Sequence, residues 1–329
     1  MHTHSAHFAH NNANGDDDDT ATIRATDNVA AQSRLSAVDC GYITDDPYAV
    51  AFVSGASGHA LALHRRPPLI NRGTYLRISA FDWALDKFIQ ACSGAGQVVS
   101  LGAGTDTRWF RFRDKYPESQ VKCFEIDLQE TVLKKISVFR KSARLFAPHV
   151  KGAKFDSKST TYTAVSAGYT LLAGDLRSWS THCVPALLAA GFDPKLPTLV
   201  LAECALVYIS PPTAVADIFT WLSGHVQDVC IVTYDQIRPD DDFGRVMVSN
   251  LRDAGIELPG LHHVPSPKRM RIEWQCVSED EKKRIAKVEM LDEVEELELM
   301  WAHYCLAVGV KGEVAQEVGR VYINDDKCY

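Results

Sequence analysis

Four apolar runs in the middle of the chain each give way to an acid, and this repetition restricts the fold more than any other feature. Val121 to Ile126 precedes Asp127. Tyr169 to Ala173 leads through Gly174 to Asp175. Pro197 to Ala202 precedes Glu203, and Val229 to Tyr234 precedes Asp235. Short runs of this kind, rich in aliphatic and β-branched residues, read as strands buried on both faces. Helical stretches separate them, at 128–145, at 179–191 and from Pro211-Pro212 through Leu222. The alternation predicts an α/β fold with a doubly wound parallel sheet. Ligands of open α/β sheets bind beyond the carboxyl ends of the strands. One acid there is often only a helix cap. Four along one edge suggest an acidic crevice for a ligand with an adenosine and a positive charge.

A further run, Val98 to Leu101, comes before these and opens into Gly102-Ala103-Gly104-Thr105-Asp106-Thr107-Arg108. Gly102 and Gly104 allow a tight turn and a close approach of backbone to ligand. A dinucleotide loop would carry a third glycine at 107, where Thr107 stands. The turn therefore suits an adenosine compound without a pyrophosphate, which argues against a nicotinamide oxidoreductase. On the next strand, Glu125 and Asp127 share one side and Phe124 and Ile126 the other. Asp127 stands where a carboxylate can accept from both ribose hydroxyls.

The net charge of −7 gives no global bias toward nucleic acid or an anionic membrane. No apolar run approaches the roughly 18 residues of a membrane span, and the polar N-terminus lacks a signal-peptide core. The nine cysteines contain no CxxC pair, and several lie in apolar runs. They read as reduced core residues of a cytoplasmic protein rather than as metal ligands. Residues 1–30, with His2, His4, His7, His10 and Asp16 to Asp19, read as a disordered polar tail, with a metal-binding tail as the other reading. N-terminal helices are expected over 31–92, a long loop over 148–168, and a core-facing stripe from Leu291, Val294, Leu297 and Met300. His303 to Val310 closes as a strand, and 313–329 forms a polar end. Arg72 and Arg77 flank Gly73 and Thr74, and the segment fits a solvated loop as well as an anchor for a carboxylate.

One set of motifs carries a family resemblance. It comprises Asn71-Arg72-Gly73 with Arg77, Leu101 to Thr107, Phe124-Glu125-Ile126-Asp127, Gly174-Asp175-Leu176-Arg177 and Leu199 to Cys204 with Tyr208. Asp242-Phe243-Gly244, and Leu291-Asp292-Glu293 with His303-Tyr304, complete it. From about residue 34 to 310, in order and at similar spacing, the chain resembles the leucine carboxyl methyltransferase family, nearest its eukaryotic, fungal members. The resemblance implies a class I S-adenosylmethionine-dependent methyltransferase. The fold would be Rossmann-like, a mostly parallel seven-stranded sheet with N-terminal helical additions and a lid insertion. A single domain would span 31–312, with its cofactor-binding core at 98–235 and the sheet edge and substrate cover at 236–312.

The same resemblance implies S-adenosylmethionine as methyl donor and S-adenosylhomocysteine as product. The acceptor would be the C-terminal leucine carboxylate of the protein phosphatase 2A catalytic subunit, and its esterification would regulate holoenzyme assembly. Carried over residue by residue, Arg77 holds the methionine carboxylate and Glu203 meets the ammonium. Gly102, with Gly104, lets the backbone approach. Asp127 takes the ribose, and Asp175 and Leu176 frame the adenine. Tyr208 lines the methyl-transfer pocket. Arg34 stands where the family usually has lysine, and binds cofactor or, with Tyr208, positions the acceptor carboxylate. The stretch 252–290 is shorter than in the family by roughly a helix and a loop. A monomer is expected, with no metal, nucleic-acid or membrane partner. The other readings are a small-molecule or tRNA-base methyltransferase of the same superfamily, and an inactive cofactor-binding regulator. The chain lacks a long C-terminal repeat domain and a basic stripe, which disfavours the tRNA reading.

Overall fold

The strand that precedes the glycine turn lies near the middle of the sheet. In the computed structural model, residues 13–53, 65–92, 94–164, 168–253, 255–261, 278–292 and 294–323 are described, with side chains from Thr26 to Arg320. The order begins with α1 (Ala13–Asp39), α2 (Ala49–Val53), α3 (Pro68–Ala91), β1 (Gln97–Leu101), α4 (Arg108–Lys115), β2 (Lys122–Asp127), α5 (Gln129–Lys141) and α6 (Ala143–Val150). Then come β3 (Lys154–Asp156), β4 (Thr161–Ala164), β5 (Tyr169–Ala173), α7 (Val184–Ala189), β6 (Thr198–Glu203), α8 (Pro212–His225) and β7 (Val229–Gln236). The order closes with α9 (Asp242–Asp253), α10 (Glu279–Val288), α11 (Val294–Ala302), β8 (Tyr304–Lys311) and α12 (Glu313–Ile323). None of the helices in the described residues is long and apolar enough to cross a membrane.

The sheet runs β3-β4-β5-β2-β1-β6-β7-β8. The pairs β5–β2, β2–β1, β1–β6 and β6–β7 are parallel, while β3, β4 and β8 pair antiparallel at the two edges. Alternation along the central strands divides the core. Val98 and Cys123 face α3, α4, α5 and α12, through Phe81, Phe110, Phe139 and Val318. Val99, Leu101, Phe124 and Ile126 face α7 and α8, through Leu187, Ile218 and Leu222, and also meet Trp179. This is the three-layer arrangement expected of strands that are buried on both faces. Proline at the first helical position opens both α3 and α8, where the missing N–H is no loss.

Five expectations need correction. The sheet has eight strands rather than seven, because 148–168 is not a loop: it holds the end of α6 and the β3–β4 hairpin that extends the sheet edge. None of its described residues lines the central cleft. Helix α1 begins at Ala13, so residues 13–30 are not a structureless tail, while residues 1–12 lie outside the described residues. The C-terminal end is ordered through Ile323: α12 packs Ala315 and Val318 into the core, and Asp228 accepts from Val314 N and Ala315 N at 2.9 and 2.8 Å. The expected apolar stripe is broken between α10 and α11. Leu297 is buried, Val294 is half exposed, and Met300 turns into the cleft.

Candidate active site

A cleft of 680 Å³ opens above the carboxyl ends of β2, β1 and β6, within the usual size of a small-molecule site. All nine expected site residues line it: Arg34, Arg77, Gly102, Gly104, Asp127, Asp175, Leu176, Glu203 and Tyr208. The glycine turn is built for close approach. Gly102 and Gly104 have φ of +64° and +45°. A Cβ on Gly102 would stand 2.7 Å from Ala205 Cβ, and one on Gly104 would stand 2.6 Å from Asp27 Oδ1. Both positions therefore require glycine on conformational and steric grounds.

At the end of β2, Asp127 accepts from Gly104 N and from Leu128 N, each at 2.7 Å. A carboxylate offers about four lone-pair sites, so these two donors leave capacity for hydroxyls. Burial pushes the Asp127 carboxyl above its usual range, against the pull of both amides. Asp175 accepts from Arg177 N and pairs with Arg177 Nη2 at 2.7 Å. Burial alone would raise it, but the Arg177 hydrogen bonds outweigh that and hold it below. It caps the short turn that presents Leu176 to the cleft.

At the end of β6, Glu203 meets two arginines. Arg77 Nε lies 2.8 Å from Oε1, and Arg108 Nη2 donates to Oε2 at 2.8 Å. Burial works to raise Glu203, yet Arg108 and then Arg77 hold it below the usual carboxylate range. Arg108 belongs to a closed ring of ion pairs. It meets Asp82 at 2.9 Å, Asp82 meets Arg111 at 2.6 Å, and Arg111 meets Asp46 at 3.7 Å. Asp46 then meets Arg34 at 3.3 Å, Arg34 meets Asp106 at 3.3 Å, and Asp106 returns to Arg108 at 2.5 Å. With Arg77 and Glu203 attached, four arginines face four carboxylates. Each charge thus has an opposite charge beside it, which offsets the cost of taking these groups out of water.

Arg34 binds protein acceptors at both terminal nitrogens, including Thr107 Oγ1 at 2.7 Å. It ties α1 to the glycine turn. Asp235, grouped by sequence with the other strand-end acids, does not line the cleft. It accepts from Val207 N behind the turn that follows β6, and burial pushes its carboxyl up to about 7. The acidic edge therefore contains three cleft acids. Tyr208 follows on that turn, and burial, then Cys204 and Tyr304, push its hydroxyl well above the usual range. Cys204 sits at φ +50°, a strained conformation for a residue with a Cβ, and burial pushes its thiol up to about 12. Tyr234 and Tyr304 stack at 5.2 Å on the same side of the cleft.

Sequence reasoning missed Arg108, Arg111, Asp82, Asp106 and Asp27. Asp27 Oδ1 accepts from Thr105 N at 2.8 Å and so anchors α1 on the glycine turn. The available signal was charge inside apolar patterns: Arg108 and Arg111 interrupt Trp109-Phe110 and Phe112 on α4, and Asp82 follows Phe81 on α3.

These residues fit an adenosyl amino acid. The glycine turn gives backbone proximity, Asp127 offers a diol acceptor, and Arg77 beside Glu203 matches a zwitterionic carboxylate and ammonium. The sheet order and this site define a Rossmann-like fold of the S-adenosylmethionine-dependent methyltransferases. Residues 21–223 match the family model described as leucine carboxyl methyltransferase. A relative named leucine carboxyl methyltransferase 1 from Aspergillus fumigatus is 37% identical, over 87% of this chain and 82% of its own. One of the same name from Schizosaccharomyces pombe is 34% identical, over 86% of this chain and 93% of its own. Among solved structures, the plantazolicin methyltransferase BpumL in complex with SAH overlaps 88% of this chain and 99% of its own, at TM-score 0.37 and 10% identity. The chain belongs to the leucine carboxyl methyltransferase family.

Proposed function

We propose that this protein transfers the methyl group of S-adenosylmethionine to the C-terminal leucine carboxylate of the protein phosphatase 2A catalytic subunit, so regulating holoenzyme assembly. It would act as a cytoplasmic monomer. The observation that carries the reading is the pairing of Arg77 with Glu203 beside a glycine turn that admits no side chain. Family membership supports the acceptor class.

When bound, S-adenosylmethionine supplies an electrophilic methyl on a positively charged sulfur. Arg77 would hold its carboxylate, Glu203 its ammonium, Asp127 its ribose, and Leu176 beside Asp175 its adenine. An α-carboxylate has a pKa near 3.5 and is ionised at neutral pH, so no residue need remove a proton. The cleft agrees: the raised Tyr208 hydroxyl and Cys204 thiol stay protonated there, and neither can act as a base. Tyr208 can instead donate a hydrogen bond to the acceptor carboxylate. Carboxylate and sulfonium neutralise each other as the methyl moves, so excluding water helps. Positioning accounts for much of the rest, with a ceiling of about 7–11 kcal/mol.

The test uses labelled S-adenosylmethionine, the whole phosphatase catalytic subunit and its isolated tail peptide. An ester releases volatile label in mild base, whereas base-stable label refutes esterification. Label on the subunit but not on the peptide would place recognition in the folded surface.

A further inference from the structure

The sheet beneath the cleft orders it from end to end. Asp175 and Asp127 mark the side of β5 and β2, Arg77 and Glu203 the middle, and Tyr234 and Tyr304 the side of β7 and β8. The last side is also apolar, where Ile70, Ile256 and Met300 join Tyr208. Helix α3 grips this wall with three consecutive residues. Asn71, fully buried, donates Nδ2 to Glu289 Oε2 at 2.9 Å. Arg72 Nη2 donates to the Glu289 carbonyl at 2.9 Å. Gly73 makes room for Met300: a Cβ there would stand 2.6 Å from Met300 Cε and 3.6 Å from Sδ. Arg77 follows about one turn later on the same helix.

We propose that Gly73 and Met300 together set the size of the acceptor's terminal side chain. Glycine lets the thioether lie against α3, which keeps open a slot for a branched aliphatic group beside the methyl-transfer position. The inference rests on the carboxyl-methylation reading above. Methionine is flexible, so a Cβ at 73 displaces its methyl off the helix and into the cleft that both residues line. The slot then narrows without loss of the fold. The Asn71 and Arg72 contacts keep the wall itself in place.

The experiment compares the full-length wild type, Gly73→Ala, Met300→Ala and the double variant on otherwise identical peptides ending in alanine, valine, leucine or phenylalanine. S-adenosylmethionine affinity by calorimetry serves as the control for folding. Gly73→Ala should lower kcat/KM for the leucine peptide at least tenfold and for the alanine peptide less than threefold. Met300→Ala should raise phenylalanine relative to leucine at least fivefold, and the double variant should restore leucine to within threefold of wild type. An unchanged ranking in all four proteins, with cofactor affinity intact, overturns the slot and leaves carboxyl methylation standing. Where tail peptides are not accepted, the same ranking is read on whole catalytic subunits carrying these four C-terminal residues, and no ester from the wild type on either overturns both. If Gly73→Ala does not fold, Met300→Ala and Met300→Leu decide, and an unchanged ranking in both overturns the proposal.

Discussion

Replacing Asp235 with asparagine separates a ligand acid from a buried structural one. The strand-end pattern groups Asp235 with the acids of the cleft, but the structure puts it behind them, accepting from Val207 N. Burial pushes its carboxyl up to about 7, against about 3.9 in an unfolded chain. The folded protein thus holds this proton to higher pH than the unfolded chain does. Stability falls as pH rises from about 4 to about 7, and the full penalty remains above that. Three units at about 1.36 kcal/mol each give about 4 kcal/mol. Asparagine keeps an oxygen for the amide and cannot ionise. Denaturant unfolding of wild type and Asp235→Asn at several pH values should show the variant gaining about 1.4 kcal/mol per pH unit, then levelling near pH 7. Cofactor affinity should stay within twofold. A stability gap that ignores pH would refute the burial argument, and loss of cofactor binding would return Asp235 to the ligand site.

Arg77→Ala should weaken S-adenosylmethionine binding about 10- to 150-fold by calorimetry, the range for a charge-assisted hydrogen bond of about 1.5–3 kcal/mol; unchanged affinity would remove it from the site. Arg108→Ala leaves Glu203, Asp106 and Asp82 facing one another and should cost about 3–5 kcal/mol in denaturant unfolding, with lysine a poor substitute because one ammonium cannot span three carboxylates. Gly104→Ala should weaken cofactor binding, and Asp27→Ala in the same chain should recover part of the loss by clearing the clash; no recovery would place the effect in the +45° backbone alone. Tyr208→Phe should lower kcat about 10- to 150-fold, as for one hydrogen bond to a charged group of about 1.5–3 kcal/mol, and kcat should be flat from pH 6 to 9; a rise with a pKa near 7 would demand a general base.

What could be read from the chain alone was local. The central parallel strands, the glycine turn and Asp127 follow from periodicity and from residues within one strand-turn-strand unit, where pattern and geometry are tightly linked. The ion-pair ring could not be read that way, since Arg108 reaches Asp82 across 26 residues and Glu203 across 95. Helix α1 was legible in its second half, where Ala31, Leu35 and Ala37 are buried, but its first half, up to residue 30, was not, for a related reason. The polar composition of that half cannot support a core, and its anchorage comes instead from Asp27 on Thr105 N and from Lys134 on Asp27, at 2.8 and 3.1 Å. The hairpin at 148–168 was hidden because its turn-rich composition masks two edge strands of three and four residues, too short to establish a period.

Asn71-Arg72-Gly73 shows where such reading stops. Sequence permits either a solvated loop or a carboxylate anchor, and nothing nearby distinguishes them. The structure makes the segment helical and does supply a carboxylate, but it is the protein's own Glu289, 218 residues away from Asn71. That carboxylate also accepts from Arg65 at 2.6 Å, and Arg65 and Asn71 together hold it below its usual range against burial. The anchor therefore acts on chain geometry rather than on cofactor. It joins the helix that carries Arg77 to the segment that leads toward Met300 and Tyr304. A shift of the α3 register would then disturb the cofactor's carboxylate contact and the apolar wall together, which gives a physical reason for three unlike residues to stand in a row.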